Sequence, residues 1–381
     1  MVTEQAGTGD GIAVTFLAQG EQDALAVAQR VATFIAGAQR SLDLALYDMR
    51  LSPPIAAVFT RALAERAAAG VPVRIAYDAD KPPQPMLAQG GDPAPPGTGA
   101  FVQSLGYPFR RIGGPKLMHN KYILRDAPDF VSRDAAPAPP LPTTAVWTGS
   151  TNFTDDAWTV EENNILVLAM PALARDYARD FADLWQVGEI GDSGDFDTSP
   201  VTTTFGGTSA SVQVLFSPGR GQEIDHRVAD TVAGAQRRVR IGSMLLNSGT
   251  FINALTHLLD AGNVPVSGIY DRTQMQGVLP QWQSIPSNVW KIDAVRDIVR
   301  RTQLVGKNTT PYSPTSLHDF MHDKILVVDD TVITGSYNFS RSAMQNAENV
   351  LFFDCPALAD RYSDYIDHLM AKYANDSRGD L

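Results

Sequence analysis

MHDKILVVDD, residues 321–330, opens a strand-like apolar run with a histidine and a lysine two positions apart. Side chains two apart on a strand share a face, so His322 and Lys324 set an imidazole beside an ammonium where a buried sheet begins. The same pattern stands at MHNKYILRD, residues 118–126, with His119 and Lys121. Taken alone, either pair reads as an exposed strand end. Repetition changes the reading, because His119 is the only histidine among the first 200 residues and it falls on the match.

The match extends along the chain in constant order. IAGAQRSLDLALYDM (35–49) is echoed by VAGAQRRVRIGSMLL (232–246), and AAAGVPVRIAYDAD (67–80) by LDAGNVPVSGIYDR (259–272). WTGSTNFT (147–154) is echoed by ITGSYNFS (333–340), and PALARDYARDFADLW (171–185) by PALADRYSDYIDHLM (356–370). The protein is an internal duplication with a repeat of about 190 residues. Within a copy, residues 22–38 carry a helical apolar period, SLDLALYD reads as strand, 55–69 as helix and VPVRIAYD as strand. Strands alternating with helices imply an α/β fold with a mixed or mainly parallel sheet covered on both faces. The acidic, Gly/Ser/Thr-rich stretch 191–211 lacks periodicity and reads as the linker, giving lobes over 10–190 and 212–376. The segments 81–100 and 127–144 are too rich in proline for core structure and read as loops.

Composition narrows the function classes. A chain of 381 residues with 44% hydrophobic composition can bury a large core. Its single cysteine, Cys355, excludes an intramolecular disulfide framework, and no Cys/His cluster suggests zinc. No apolar run approaches the roughly 20 residues that span a bilayer, and the start lacks signal-peptide character. The expectation is a soluble monomer, cytoplasmic if the chain is complete and secreted if a leader has been removed. Residues 1–200 hold 15 Lys/Arg against 24 Asp/Glu, which weighs against a general nucleic-acid coat.

Two imidazoles and two ammoniums suit attack on phosphorus. One imidazole can act as nucleophile near neutral pH while a second protonates the leaving oxygen. Lysines can hold the non-bridging oxygens as charge builds up, in place of a metal. A metal centre is disfavoured, since Lys is not an ordinary ligand and two isolated histidines are too few. His226, His257 and His368 lack matched partners and read as surface or packing residues. Trp147, Trp158, Phe153 and Phe339 flank the GS-containing elements and read as core.

HxKxxxxD occurs twice, as His119/Lys121/Asp126 and His322/Lys324/Asp329, each followed by a GSxNF element, Gly149–Phe153 and Gly335–Phe339. In this the chain resembles the phospholipase D superfamily over nearly its whole length. The resemblance implies two similar lobes on a pseudo-twofold axis, one site built from both motifs, and no cofactor. It implies a phosphohistidine on one histidine, with His119 favoured, while the other, His322, protonates the leaving group and activates the acceptor. Asn152 with Ser150, and Asn338 with Ser336, are expected to hold the phosphate. A carboxylate about ten residues beyond GSxN is expected to orient each histidine. The register assigns Glu162 and Glu348, which stand at the 186-residue offset of the GSxN pairs. Asp126 and Asp329 complete the motif and are expected to brace the loop after the strand rather than touch substrate. One departure is the gap between motif aspartate and GSxN, five residues (330–334) in the second copy and 22 (127–148) in the first.

Three substrate classes stay open at this level. A phospholipase D-like hydrolase or phosphatidyltransferase at a membrane surface is favoured. The alternative is a nuclease, for which the basic segment 290–307, with Arg296, Arg300, Arg301 and Lys307, and Arg110, Arg111 and Lys116 would form the groove. A small phosphodiester is a third substrate.

Overall fold

The computed structural model describes residues 10–78, 96–131, 138–376 and 381. The helix expected over 22–38 runs Ala24–Ala36, where the Asp23 carboxylate caps it by accepting from the Leu25 amide. The helix expected over 55–69 runs Pro53–Ala68, with proline in its first turn, where the missing amide proton removes no hydrogen bond. The two expected strands form as Leu42–Leu46 and Val73–Asp78.

The first sheet runs, edge to edge, Ile12–Leu17, Asn163–Leu168, Ala145–Gly149, Lys121–Arg125, Leu42–Leu46, Val73–Asp78, Phe109–Ile112. The second runs Val201–Phe205, Thr208–Ser217, Glu348–Asp354, Thr331–Gly335, Lys324–Val328, Val239–Ser243, Val266–Asp271, Gln303–Lys307. From its second strand onward the second sheet reproduces the first in order and direction. In each lobe the motif strand is antiparallel to its neighbours on both sides, and three parallel strands follow on one flank. The duplication read from the sequence is therefore two similar mixed-sheet lobes.

Three apolar cores follow from this stacking. One lies outside each sheet, under helices such as Ala24–Ala36 and Pro53–Ala68 in the first lobe and Gly249–Ala261 and Val289–Arg301 in the second. The third lies between the sheets and is filled by the helices Pro171–Val187 and Pro356–Lys372, with Tyr177, Phe181, Tyr362 and Ile366 buried. Both sheets are thus apolar on both faces, which accounts for the unbroken hydrophobic run in ILVV. Trp147, Trp158, Phe153 and Phe339 are buried, as core residues.

Two expectations change. The stretch 191–211 contains the strand Val201–Phe205, paired antiparallel with Thr208–Ser217, so the second sheet starts inside the segment read as linker. Alternation of exposed and half-buried positions in VTTTF is an edge-strand pattern that threonines satisfy without apolar residues. The short helix Thr98–Ser104 begins within the span read as the loop 81–100; the rest of that loop, and 132–137 of the second loop, lie mostly outside the described residues. Among the described residues no helix is long and apolar enough to cross a membrane.

Candidate active site

The two lobes exchange backbone at the motif histidines. The His119 amide donates to Ala347 O at 2.8 Å and the His322 amide to Glu162 O at 3.1 Å, so each motif is latched to the strand that follows GSxN in the other lobe. Reciprocal bridges, Met118 with Ala347 and Met321 with Glu162, give this exchange its pseudo-twofold form.

Glycine in GSxN has a geometric cause. Gly149 and Gly335 have φ of 138° and 144°, and a Cβ there would stand 2.2 and 2.4 Å from the carbonyl oxygens of Asn164 and Asn349. The serines after them are consumed by structure. Ser150 Oγ accepts from the Asn164 amide and donates to Asn163 Oδ1 at 2.8 Å; Ser336 Oγ accepts from the Asn349 amide at 3.0 Å. Both are fully buried, and each hydroxyl oxygen is bonded to the strand that follows. Asn152 and Asn338 are only half-buried, and Asn152 Oδ1 has no partner within the protein.

Asp126 and Asp329 stand away from the imidazoles. Both adopt left-handed backbone, φ 56° and 53°. Their carboxylates collect the amides of residues 39–41 and 236–238, which precede the strands Leu42–Leu46 and Val239–Ser243. They brace a loop and take no part in the chemistry at the imidazoles.

His119 Nδ1 donates to Glu348 Oε2 at 2.7 Å and lies 3.2 Å from Ser336 O. Both partners are acceptors, so Nδ1 carries the proton and Nε2 the lone pair in the neutral ring. The Tyr47 ring packs edge-on at 4.6 Å. Burial, aided by Lys121 and Lys324 and opposed by Glu348, pulls the His119 pKa down to about 4.

His322 differs. Its Nδ1 donates to Asn163 Oδ1 at 2.9 Å, and Glu161 Oε2 is 3.4 Å away. Asn163 Nδ2 donates to Glu161 Oε2 at 3.0 Å and to Ala157 O, which fixes the amide's orientation. Burial, with Lys324, Lys121 and His119, holds the His322 pKa well below the ordinary value. Glu162 meets His322 through its backbone carbonyl alone, and its carboxylate points elsewhere. Its carboxylate accepts from Lys307 Nζ at 2.6 Å, from Tyr373 Oη and from the Gln19 amide. The reason is register. Asn164 and Asn349 occupy equivalent places beside Ser150 and Ser336, an offset of 185, so the counterpart of Glu348 is Asn163 and that of Glu162 is Ala347. The helices that begin at Pro171 and Pro356 are also 185 apart, the one signal in the sequence that gives this register away.

Each lysine folds back on its own motif. Lys121 Nζ donates to His119 O at 2.8 Å and Lys324 Nζ to His322 O. Burial lowers their pKa values to about 7 and about 8, Lys121 also being held down by Lys324. Two buried cations beside two histidines form a site ready for a bound anion. Among the described residues, no group of three or more His, Cys, Asp or Glu could hold a metal ion.

A buried polar seam joins the lobes behind this site. Asn349 Nδ2 donates to Asn120 Oδ1 at 2.9 Å, and Asn164 Nδ2 to Asp323 Oδ1 at 2.8 Å. Asn120 reaches Asp180 on the central helix, which also accepts from Tyr122 Oη at 2.8 Å, and Asp323 accepts from Tyr365 Oη at 2.8 Å.

Two duplicated mixed sheets that meet at paired His/Lys motifs define a phospholipase D-type fold and site. The family model described as "Cardiolipin synthase, PLD-like domain" matches residues 31–185 and 228–370, and the chain belongs to that family, within a superfamily of phosphodiesterases and transferases. Among solved structures, phosphatidylserine synthase of Haemophilus influenzae Rd KW20 is similar at a TM-score of 0.59 and 13% identity, over 94% of this chain and 86% of that one. Polyphosphate kinase of Porphyromonas gingivalis is similar at 0.56 and 13%, over 94% of this chain and 47% of that one. Nuc of Salmonella typhimurium matches at 0.31 and 23%, over 42% of this chain and 93% of that one. No curated protein sequence matches the chain.

Proposed function

We propose that the protein is a metal-independent phosphodiesterase of phospholipase D type that cleaves or transfers a phosphatidyl ester through a phosphohistidine. His119 Nε2 attacks phosphorus while His322 Nε2–H protonates the departing oxygen. A water or alcohol then attacks the phosphohistidine and gives its proton back to His322, and the P–N bond breaks. Lys121, Lys324, Asn152 and Asn338 hold the non-bridging oxygens. The observation that carries this reading is that each imidazole has its Nδ1 engaged by a side chain of the opposite lobe, which fixes both rings and leaves both Nε2 atoms for chemistry.

The lipid class is favoured over nucleic acid by the state of the basic segment. Arg300 pairs with Asp297, Arg301 with Asp260 and Asp297, and Arg296 Nε donates to Leu381 O. Lys307 is buried against Glu162. Arg300, Arg301 and Lys307 are paired with carboxylates and Arg296 is held by a backbone oxygen, rather than all four being aligned as a strip for phosphates.

The test offers the purified protein phosphatidylcholine vesicles, single-stranded DNA and bis(p-nitrophenyl) phosphate, all with EDTA. Release of the lipid head group is the expected result. Cleavage of DNA with steep salt dependence, abolished when Arg296, Arg300 and Arg301 are neutralised, would replace the lipid reading with the nuclease one. Acid-labile phosphate trapped on the peptide bearing His322 would reverse the histidine roles.

A further inference from the structure

The carboxylate and the amide that serve the two histidines have changed places. In the second lobe Glu348 touches His119, and Asn346 stands behind it, donating Nδ2 to Glu348 Oε1 at 3.1 Å. In the first lobe the amide of Asn163 touches His322, and Glu161 stands behind, accepting from Asn163 Nδ2 at 3.0 Å. The segments read Asn346-Ala347-Glu348 and Glu161-Glu162-Asn163, the same pair of groups in reverse order. All four side chains are buried.

We propose that Glu161 is the positioning residue of His322, acting through the Asn163 amide, and that its charge decides whether His322 carries the proton it gives to the leaving oxygen. Asn163 Oδ1 can only accept, and it already receives the Ser150 hydroxyl, so it fixes the Nδ1–H tautomer but adds no charge. An imidazolium needs a carboxylate within reach, and Glu161 Oε2 at 3.4 Å supplies it. The groups facing Glu161 are Lys324, Lys307, Lys121 and His322 from around the lobe interface, with Asp156 from the short helix that precedes it. Burial, reinforced by Asp156 and opposed by Asn163 and the lysines, raises the Glu161 pKa to about 8, while that of His322 is lowered. Nδ1 already carries its proton, so the proton that makes the imidazolium is taken up at Nε2 from solvent when a substrate phosphate stands there, while Glu161 releases its own and the resulting carboxylate balances the ring charge across Nδ1–H.

This rests on the proposed acid role of His322, and the experiment separates the two. kcat/KM reports the steps through departure of the leaving group, and an acid matters most when that group is a poor one. Two phosphodiesters are compared, one losing an alkyl alcohol and one losing p-nitrophenol, in Glu161→Gln, in Glu161→Asn/Asn163→Glu, and in His322→Ala. Glu161→Gln is expected to lose at least tenfold more kcat/KM on the alkyl ester than on the nitrophenyl ester. Its alkaline limb should move to lower pH, because loss of the negative charge favours the neutral ring. The double variant, which rebuilds the Asn346/Glu348 order, is expected to regain most of the alkyl ester activity. Equal losses of Glu161→Gln on both esters, or no recovery in the double variant, would overturn the inference. If His322→Ala itself loses equally on both esters, the acid role of His322 fails instead.

Discussion

In one lobe the motif histidine meets a carboxylate from its neighbour; in the other it meets an amide with a carboxylate behind it. The same exchange recurs in the seam between the lobes. Behind His119 the motif supplies the amide of Asn120 and the central helix supplies the acid, Asp180. Behind His322 the motif supplies the acid, Asp323, and the helix supplies the hydroxyl of Tyr365. What the duplication preserves is a set of groups around each imidazole, and the backbone position that contributes each group is free to vary. A buried polar network requires that every donor find an acceptor, and several arrangements of one inventory meet that requirement.

The largest test of this comparison asks whether the two histidines form one site. His119→Ala and His322→Ala should each lower turnover by about 10³-fold or more, with little further loss when combined, because nucleophile and acid act as a unit. Additive losses in steady-state kinetics would mean two independent half-sites. Next is the directly bonded carboxylate. Glu348→Gln should cost on the order of 10²–10⁴ in kcat/KM whatever the leaving group, as it removes the charge that orients the attacking ring. A loss that grows as the leaving group worsens would place Glu348 with the acid instead.

Glu162 sharpens the contrast from the other side. Glu162→Gln leaves the Lys307 ammonium buried and unpaired, which should lower unfolding free energy by roughly 3–5 kcal/mol in urea titrations, while kcat/KM of the folded fraction stays unchanged. A large kinetic loss without destabilisation would return Glu162 to the histidine.

The smallest effect concerns Asp180. Burial raises its pKa to about 8, far above the ordinary carboxylate range, so the folded chain keeps a proton there that the unfolded chain releases. Stability therefore falls as pH rises across that window and levels off above it. Asp180→Asn should flatten this decline in melting temperature between about pH 4 and pH 8. An unaltered slope would assign the decline to other buried acids, among them Asp323, raised to about 7, and Glu161, raised to about 8.

The fold was legible because two periodicities and a repeat all say the same thing. Strand runs such as ILVV and helices such as Ala24–Ala36 each carry their own signal, and order does the rest. The histidines and lysines were legible for the same reason. Of the carboxylate partners, Glu348 is legible at His119, but the partner of His322 is not, because a one-residue slip between GSxN and the next strand breaks the constant offset. On a strand, one residue turns a side chain to the opposite face. A constant offset therefore points to Glu162, whereas Asn163 and Glu161 face the ring. The bonding of the GSxN serines is hidden for a different cause: their hydroxyl oxygens answer to backbone amides across the strand, a demand that no local pattern announces. The strand Val201–Phe205 escaped notice because an edge strand of threonines has no apolar period to find.

The latch between the lobes, in which each histidine amide binds the neighbour's backbone, has a consequence for heredity. An assembly of two identical subunits can place only one kind of side chain opposite both of its histidines, since a single codon specifies both. Joining the copies into one chain gives each histidine a partner with its own codon. Asn163 and Glu348 are such a pair of separately inherited letters. A division of labour between nucleophile and acid can then be written into the gene itself, instead of arising afresh each time a substrate binds.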